Sequence, residues 1–268
     1  MHFQQLLCIT LLFLAFGAYV SADAFLVDPL VVKAEPGKII DAGGLQPGES
    51  MELIFSTDSG YGNDAKWVQA VFGSNPYGEI VQAQSSEVGT RSLITRISTS
   101  TLLPPGTYRL PLTLRGTPGQ LEDETYQLQF VVAQKLFSAT LLNPRVEGNL
   151  NETLHYEVTL VNDSSATVEV RVEPSLPPTW SSGTTLMIKP HSFKSVPLSV
   201  TPRFAGPKSF DIHITNTRTG QHYDVLHANL VAHASIKDHY SAGLYGFPFF
   251  TISLVANYLS NAFFSLVL

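Results

Sequence analysis

Strict two-residue alternation is the feature that most limits how this chain can fold. After Pro104-Pro105-Gly106, the residues Tyr108, Leu110, Leu112 and Leu114 alternate with Arg109, Pro111, Thr113 and Arg115. Successive side chains of a strand point to opposite faces, so the pattern predicts a strand with one buried and one wet face. Such a face is stable only against a second apolar layer. Pro111 has no N–H to give, which points to an edge strand or a non-bonded position.

The same grammar recurs along the chain. Leu30-Val31-Val32 starts a first strand, turned by Glu35-Pro36-Gly37-Lys38. Met51 to Phe55, Lys66 to Phe72 around Trp67, and Leu93 to Ile97 follow as short apolar runs, with a polar, glycine-rich loop from Ser56 to Asp64. Past the loop Gly116 to Glu122, Tyr126, Leu128, Phe130 and Val132 alternate again, and Glu122-Asp123-Glu124 reads as a solvated hairpin tip. Ala133-Gln134-Lys135 reads as a short joint. Beyond it Leu154, Tyr156, Val158 and Leu160 alternate, Asn162-Asp163-Ser164-Ser165 turns, and Val168, Val170 and Val172 alternate. A hairpin is the natural reading of that pair. Ser195 to Val200, Phe210 to Ile214 and Tyr223 to Ala232 complete the strands. Short strands separated by Gly/Pro turns, with no helical period between them, predict an all-β chain of two tandem sandwiches. The domains are then residues 23–134 and 135–238.

Both ends of the chain are apolar. All charged side chains fall between Asp23 and Asp238 and sum to −6. Leu6 to Val20 is an apolar run, and Val20-Ser21-Ala22 places short residues where a signal peptidase reads, so residues 1–22 read as a signal peptide cleaved after Ala22. The alternative is an uncleaved N-terminal membrane helix. Gly243 to Leu268 carries no charge. A helix from Pro248 to Leu268 would be roughly 30 Å long at about 1.5 Å per residue, enough to span a hydrocarbon core. Residues 239–268 are therefore read as a hydrophobic membrane-anchoring segment with membrane lipid as its partner. Two rivals stand beside it. Ser241-Ala242-Gly243 has the small-residue chemistry of a GPI attachment site without its polar spacer. A helix lying flat on the surface would need basic residues that are absent.

Composition removes several chemistries. The sole cysteine, Cys8, lies inside the signal, so the exported part has no disulfide, zinc-thiolate site or cysteine nucleophile. Mild acidity argues against a nucleic-acid partner. His213, His222, His227, His233 and His239 are dense near the end. On one strand, however, His222 and His227 face opposite ways, and His227 and His233 stand about 20 Å apart at roughly 3.3 Å per residue. No one ion reaches both. The loop Asp58 to Asp64 offers oxygens to calcium, but the twelfth position of the loop template is Gln69, not glutamate. No Gly-x-Ser-x-Gly elbow, His-Glu-x-x-His helix or phosphate-cradling glycine loop is present. The expectation is no metal, no cofactor and no enzyme activity, an extracytoplasmic hydrolase being the weakest alternative. Two sequons, Asn151-Glu152-Thr153 and Asn162-Asp163-Ser164, fall in predicted loops and are expected to be exposed glycan acceptors.

The second domain also follows a known order. Leu176-Pro177-Pro178-Thr179-Trp180 is followed by Leu186-Met187-Ile188-Lys189-Pro190. Next comes Val196-Pro197-Leu198-Ser199-Val200-Thr201-Pro202, and then Ala205-Gly206 before a β run. Over residues 136–234 this resembles the immunoglobulin-like modules of the CARDB and NEW3 type found in exported prokaryotic, notably archaeal, proteins. His191 stands where such modules usually carry the glycine of a Pro-Gly turn. The first domain resembles the same class only in its strand pattern, and the resemblance implies immunoglobulin-like sandwiches acting as spacers, adhesion units or interaction units. With the apolar ends, it implies a non-enzymatic surface protein held on the outer face of a membrane. The alternative is an accessory subunit of a membrane complex with its domains on the translocated side.

Ser253, Asn257, Asn261 and Ser265 recur every fourth residue, one slowly drifting stripe on a helix with Ser260 beside it. Unpaired amides are costly in lipid, so the stripe predicts association with a second helix, from another copy or from another protein. Each hydrogen bond contributes only ~0.6 kcal/mol, so the effect is collective. Crosslinking of the isolated tail in membranes should detect the association, and Asn257→Leu with Asn261→Leu should abolish it. Unchanged association in that double variant would sink the idea.

Overall fold

The computed structural model describes residues 22–61, 64–87 and 91–234. The signal and tail segments, with the stripe Ser253, Asn257, Asn261 and Ser265, lie outside the described residues. Among the described residues no helix is long and apolar enough to cross a membrane.

The described chain is all-β apart from one short 3-10 turn, Gly78–Ile80. The first sandwich contains β1 (Ala24–Asp28), β2 (Val32–Ala34), β3 (Ile39–Leu45), β4 (Ser50–Phe55), β5 (Asp58–Tyr61), β6 (Ala65–Phe72), β7 (Val81–Gln84), β8 (Leu93–Thr99), β9 (Gly106–Gly116) and β10 (Glu124–Val132). One sheet has the order β2-β1-β4-β8-β7 and the other β3-β10-β9-β6-β5. The first expected strand is displaced. It is the short β2, starting two residues late at Val32 ahead of the expected turn with Val31 left exposed, and it is preceded by an unexpected strand, β1, that ends at a cis Asp28-Pro29 bond. Part of the expected polar loop is the strand β5, paired to β6. Its apolar content is too low for a period-two signal.

The clearest alternation is confirmed. Leu110, Leu112 and Leu114 of β9 and Tyr126, Leu128 and Phe130 of β10 are all buried, and the two strands pair antiparallel with Leu110 opposite Leu128. Pro111 is not on an edge, because β9 lies between β10 and β6. Its carbonyl accepts from the Gly73 N–H at 2.9 Å, just past the end of β6. Both backbone groups of a strand residue point the same way, so the missing N–H faces the place where β6 has already ended.

The second sandwich contains β11 (Phe137–Leu141), β12 (Arg145–Asn149), β13 (Leu154–Asn162), β14 (Val168–Pro174), β15 (Thr184–Ile188), β16 (Ser192–Val200), β17 (Gly206–Asn216) and β18 (His222–His233). Its sheets are β11-β13-β16 and β12-β18-β17-β14-β15. The expected β13–β14 hairpin is not formed, because the two strands belong to different sheets. The connection Asp163 to Thr167 crosses the sandwich instead. Sheets pack about 10 Å apart, and this length of chain spans that gap as readily as it closes a hairpin. By compactness the chain divides into two units, and the division is not a single cut. Among the described residues, one holds residues 22–137 with Asn162–Val168 and Met187–Ser192, and the other holds the remainder.

The two sandwiches share the arrangement of their terminal strands without a sequence repeat, and differ in that β7 joins the sheet of β8 while β15 joins the sheet of β14. In each, a strand near the start lies parallel to the last one: β3 against β10 with Ile39 opposite Gln127, and β12 against β18 with Arg145 opposite Asn229. In each, the last two strands form an antiparallel pair. Apart from the additional strands β2, β3 and β5, the first sandwich divides its strands as an immunoglobulin domain does: β1, β4, β8 and β7, the first, second, fifth and fourth equivalents, share one sheet, and β6, β9 and β10, the third, sixth and seventh, share the other. Two further immunoglobulin features are present. Trp67 is buried on the third-strand equivalent, β6. Tyr108, at the start of β9, donates its hydroxyl to the Pro104 carbonyl at 2.7 Å, a tyrosine corner. Leu110, two residues on, stands where antibody domains carry the second cysteine of their disulfide. The fold is therefore immunoglobulin-like, with packing in place of the cross-link.

Tyr108 also stacks on Phe130 at 5.6 Å and meets the edge of Tyr77 at 5.1 Å, so removing its hydroxyl leaves the ring held. Tyr108→Phe is expected to lower the stability of this domain by about 1 kcal/mol. Leu110→Ala, which opens a cavity, should cost about 2–5 kcal/mol. Denaturant unfolding followed by Trp67 fluorescence measures both; equal losses would contradict the assignment of roles.

Candidate functional surfaces

The expected site residues divide sharply on burial. Asn151 is exposed, in a left-handed conformation (φ 62°) that asparagine tolerates better than most residues. It lies just beyond β12, its side-chain oxygen accepting from Arg203 at 2.9 Å. Asn162 corrects the expectation of exposure. It is 0% exposed, and its amide donates to the carbonyls of Ala166 at 2.8 Å and Lys189 at 2.9 Å. Its oxygen accepts from the Ser164 N–H and hydroxyl. This asparagine braces the crossing connection from inside. A loop drawn away from water must satisfy its own backbone groups, and the amide does so. In the folded domain it presents nothing to a glycan.

Ala22, expected to precede a cleavage point, is 1% exposed. Its N–H donates to the Glu124 carboxylate at 3.2 Å, and its carbonyl accepts from the Tyr126 hydroxyl at 3.1 Å. Burial pushes the Tyr126 phenol up, and the neighbouring Glu124 carboxylate adds to the shift. Glu124 therefore ties down the domain's first residues, where the sequence suggested a solvated hairpin tip. Asp23 accepts from the Trp67 indole through its carbonyl at 3.0 Å, and its carboxylate pairs with Lys33 at 2.8 Å. The hydrogen bond from Lys33 to Asp23 holds its ammonium above the ordinary lysine range.

Of the histidines near the end, His239 lies outside the described residues, and the other four form separate pairs. His227 meets Asp211 across β17 and β18 at 2.6 Å, with 81% of the His227 side chain exposed. His213 and His222 lie ring to ring at 6.3 Å, and the His222 ring contacts the Thr215 hydroxyl at 3.3 Å. His233 is 3.7 Å from Glu147 on the parallel neighbour strand. Among the described residues no group of three or more His, Cys, Asp or Glu is arranged to hold a metal ion. In the glycine-rich loop, Asp58 accepts from the Gly60 N–H at 2.9 Å, a local turn. His191 has φ 47°, the left-handed conformation that explains why glycine suits this turn.

A concavity of about 340 Å³ lies on the first sandwich, lined by Glu52, Gln84, Arg91, Ile94 and Arg96 among others. Glu52 and Arg96 pair with each other inside it.

Sequence reasoning missed a cluster at one end of the second sandwich. Trp180, nearly buried, lies 6.0 Å from Phe204, whose ring is 74% exposed, and the Lys208 ammonium sits 5.8 Å over the indole. No local period announces it, because the three residues come from two loops and a strand. Below it, Tyr156 packs edge-on against Phe210 at 5.5 Å and donates to the Asn229 carbonyl at 2.7 Å; burial pushes its phenol up to about 12.

No protein-family model matches the sequence, and no curated protein matches it. Among solved structures, the chain is similar to the fibronectin(III)-like modules of Clostridium thermocellum CbhA (TM-score 0.29, 10% identity, 79% of this chain and 94% of that one). It is similar to a chimeric titin Z1Z2 (TM-score 0.37, 11% identity, 81% and 100%). It is also similar to the D0-D1 domain of intimin (TM-score 0.27, 13% identity, 70% and 94%). The immunoglobulin-like assignment rests on the strand order, Trp67 and the Tyr108 corner.

In an exporting host that modifies such sequons, Asn151→Gln should abolish any glycan-dependent mobility shift and Asn162→Gln should leave it unchanged. Asn162→Ala should lower stability by about 1–3 kcal/mol through the unsatisfied carbonyls it leaves. A glycopeptide carrying sugar on Asn162 in folded protein would overturn this.

Proposed function

We propose that this chain is a non-enzymatic, membrane-anchored protein whose immunoglobulin-like domains stand on the translocated side and serve envelope structure, adhesion or partner binding. One observation carries the reading: every charged residue lies between Asp23 and Asp238, in or beside two sandwiches, while both flanking segments are free of charge. A charge-free segment long enough to span the hydrocarbon core favours lipid over water. The sandwiches offer exposed loops and strand faces, the surfaces on which binding residues are most often carried. CARDB- or NEW3-type ancestry, as the second domain's motif order suggests, fits a spacer or interaction unit.

A second reading has its own support. The stripe Ser253, Asn257, Asn261 and Ser265 is unneeded for simple anchoring and suits a helix that packs on a sister subunit. Co-purification of a stoichiometric partner in mild detergent would favour that reading; a self-assembled array would favour the surface role.

The test of anchoring is alkaline extraction of membranes containing the full chain, followed by protease treatment from the translocated side. The protein should remain in the pellet, and the protease should reach both domains. Release by a GPI-specific phospholipase would replace the spanning helix with a lipid anchor. Release by alkali alone would defeat the anchored reading.

A further inference from the structure

The end of the second sandwich from which the chain leaves for its apolar tail is built from three loops tied to each other. β18 ends at His233, beside Asn149 of the parallel strand β12, and the Leu150 N–H donates to the His233 carbonyl at 2.9 Å. The Asn151 N–H donates to the Pro202 carbonyl at 2.9 Å, and the Thr201 N–H to the Trp180 carbonyl at 2.7 Å. Thr153 and Thr201 join through their hydroxyls at 3.0 Å, and Arg203 holds Asn151 at 2.9 Å. Gly206 lies opposite Ala232, so the loop before it, with Phe204, stands at this same end.

This end brings an exposed aromatic ring together with an aromatic base and basic side chains. Phe204 projects 74% exposed over Trp180, with Lys208 above the indole and Arg203 next to Phe204 in the chain. Across residues 149–153, 175–183 and 201–208 the charged groups are Arg203, Lys208 and Glu152, two basic and one acidic, in a chain of net charge −6. An exposed aromatic ring on an aromatic base, rimmed by long basic side chains, suits the zone between headgroups and acyl chains. There an amphipathic ring is at home, and a basic stem lies along apolar surface with its charge in water.

We infer that this end of the second sandwich docks on the bilayer surface, Phe204 entering the interface and Arg203 and Lys208 meeting lipid phosphates. The occupant is set by the chain itself, and the inference rests on the anchored reading above. Only residues 235–242 separate the described strand from the charge-free segment that starts at Gly243. Fully extended, they reach no more than about 29 Å. An anchored tail therefore holds this end close to the bilayer at high effective concentration, so that a weak interfacial contact suffices. Near-neutral local charge suits a zwitterionic surface. Docking places Asn151 against the headgroups as well, so a glycan there and close docking compete for one surface.

The test uses the full chain with Cys8→Ser, reconstituted in phosphatidylcholine vesicles. An environment-sensitive fluorophore is placed on Ala205→Cys, which leaves Phe204 intact, and on Leu102→Cys, 85% exposed in the first sandwich, as the reference. The label at 205 should be blue-shifted and quenched several-fold more by headgroup-level nitroxide lipid than the label at 102. Adding Phe204→Ser should remove most of that difference; at an exposed position it should not disturb folding. A label at 205 as wet as that at 102, in protein that stays in the vesicles through an alkaline wash, overturns docking and leaves anchoring intact. Release by the wash after a shielded signal overturns anchoring and leaves the docking face standing. Release after a wet signal overturns both.

Discussion

Each sandwich depends on one constraint: two sheets, each apolar on one face, must cover one another with side chains alone. The only cysteine of the chain is Cys8, so nothing covalent crosses either core. In the first sandwich the load falls on large side chains with essentially no exposure, including Phe55, Trp67, Tyr126 and Phe130. Leu110 occupies the place of a disulfide cysteine, and buried apolar area supplies what the cross-link otherwise would. Alternation in β9, β10, β13 and β14 is thus a requirement of stability, since a slip by one residue turns the whole apolar set to water.

The same requirement shapes the edges and ends. A strand near the start of each sandwich lies parallel to the last one, so both termini of a domain are drawn into the sheet instead of fraying. At the start of the first sandwich, Ala22 and Asp23 are held by Glu124, Tyr126 and the Trp67 indole. Where the chain crosses between sheets, its polar groups lose water, and Asn162 replaces that water with its own amide. The left-handed turn at His191 stands where glycine would be easier, and the one at Asn151 uses a residue that tolerates it. The loops are thereby pinned by named hydrogen bonds, and a pinned loop is what allows Phe204 to stand clear of the surface over a fixed Trp180.

Much of this was legible in the residues, and what was not has a physical reason. The period of two in Tyr108–Leu114 and Tyr126–Val132 announced two strands, and their antiparallel pairing followed from the short loop between them. The corner formed by Tyr108 was not legible, because its hydroxyl's partner is a carbonyl whose position only the folded turn specifies. Asn162 misled because a sequon is defined by three neighbouring residues, whereas burial depends on everything packed round them. The β13–β14 connection misled because a short polar link serves equally as a hairpin or as a bridge between sheets.

Read alone, the residues specify the class of fold, the strands with strong alternation, a single cysteine lying ahead of both predicted domains, and the confinement of charge to the middle of the chain. These are local or additive properties: periodicity, composition and net charge need no knowledge of what packs on what. Only the tertiary structure decided which strands share a sheet, that Pro111 sits in a central strand past its neighbour's end, that Asn162 is buried while Asn151 is not, and that Trp180, Phe204 and Lys208 meet. Each of these depends on contacts between residues distant in sequence. Several arrangements of the same strands bury the same apolar faces almost equally well, and the choice among them is made by packing and by the satisfaction of buried polar groups.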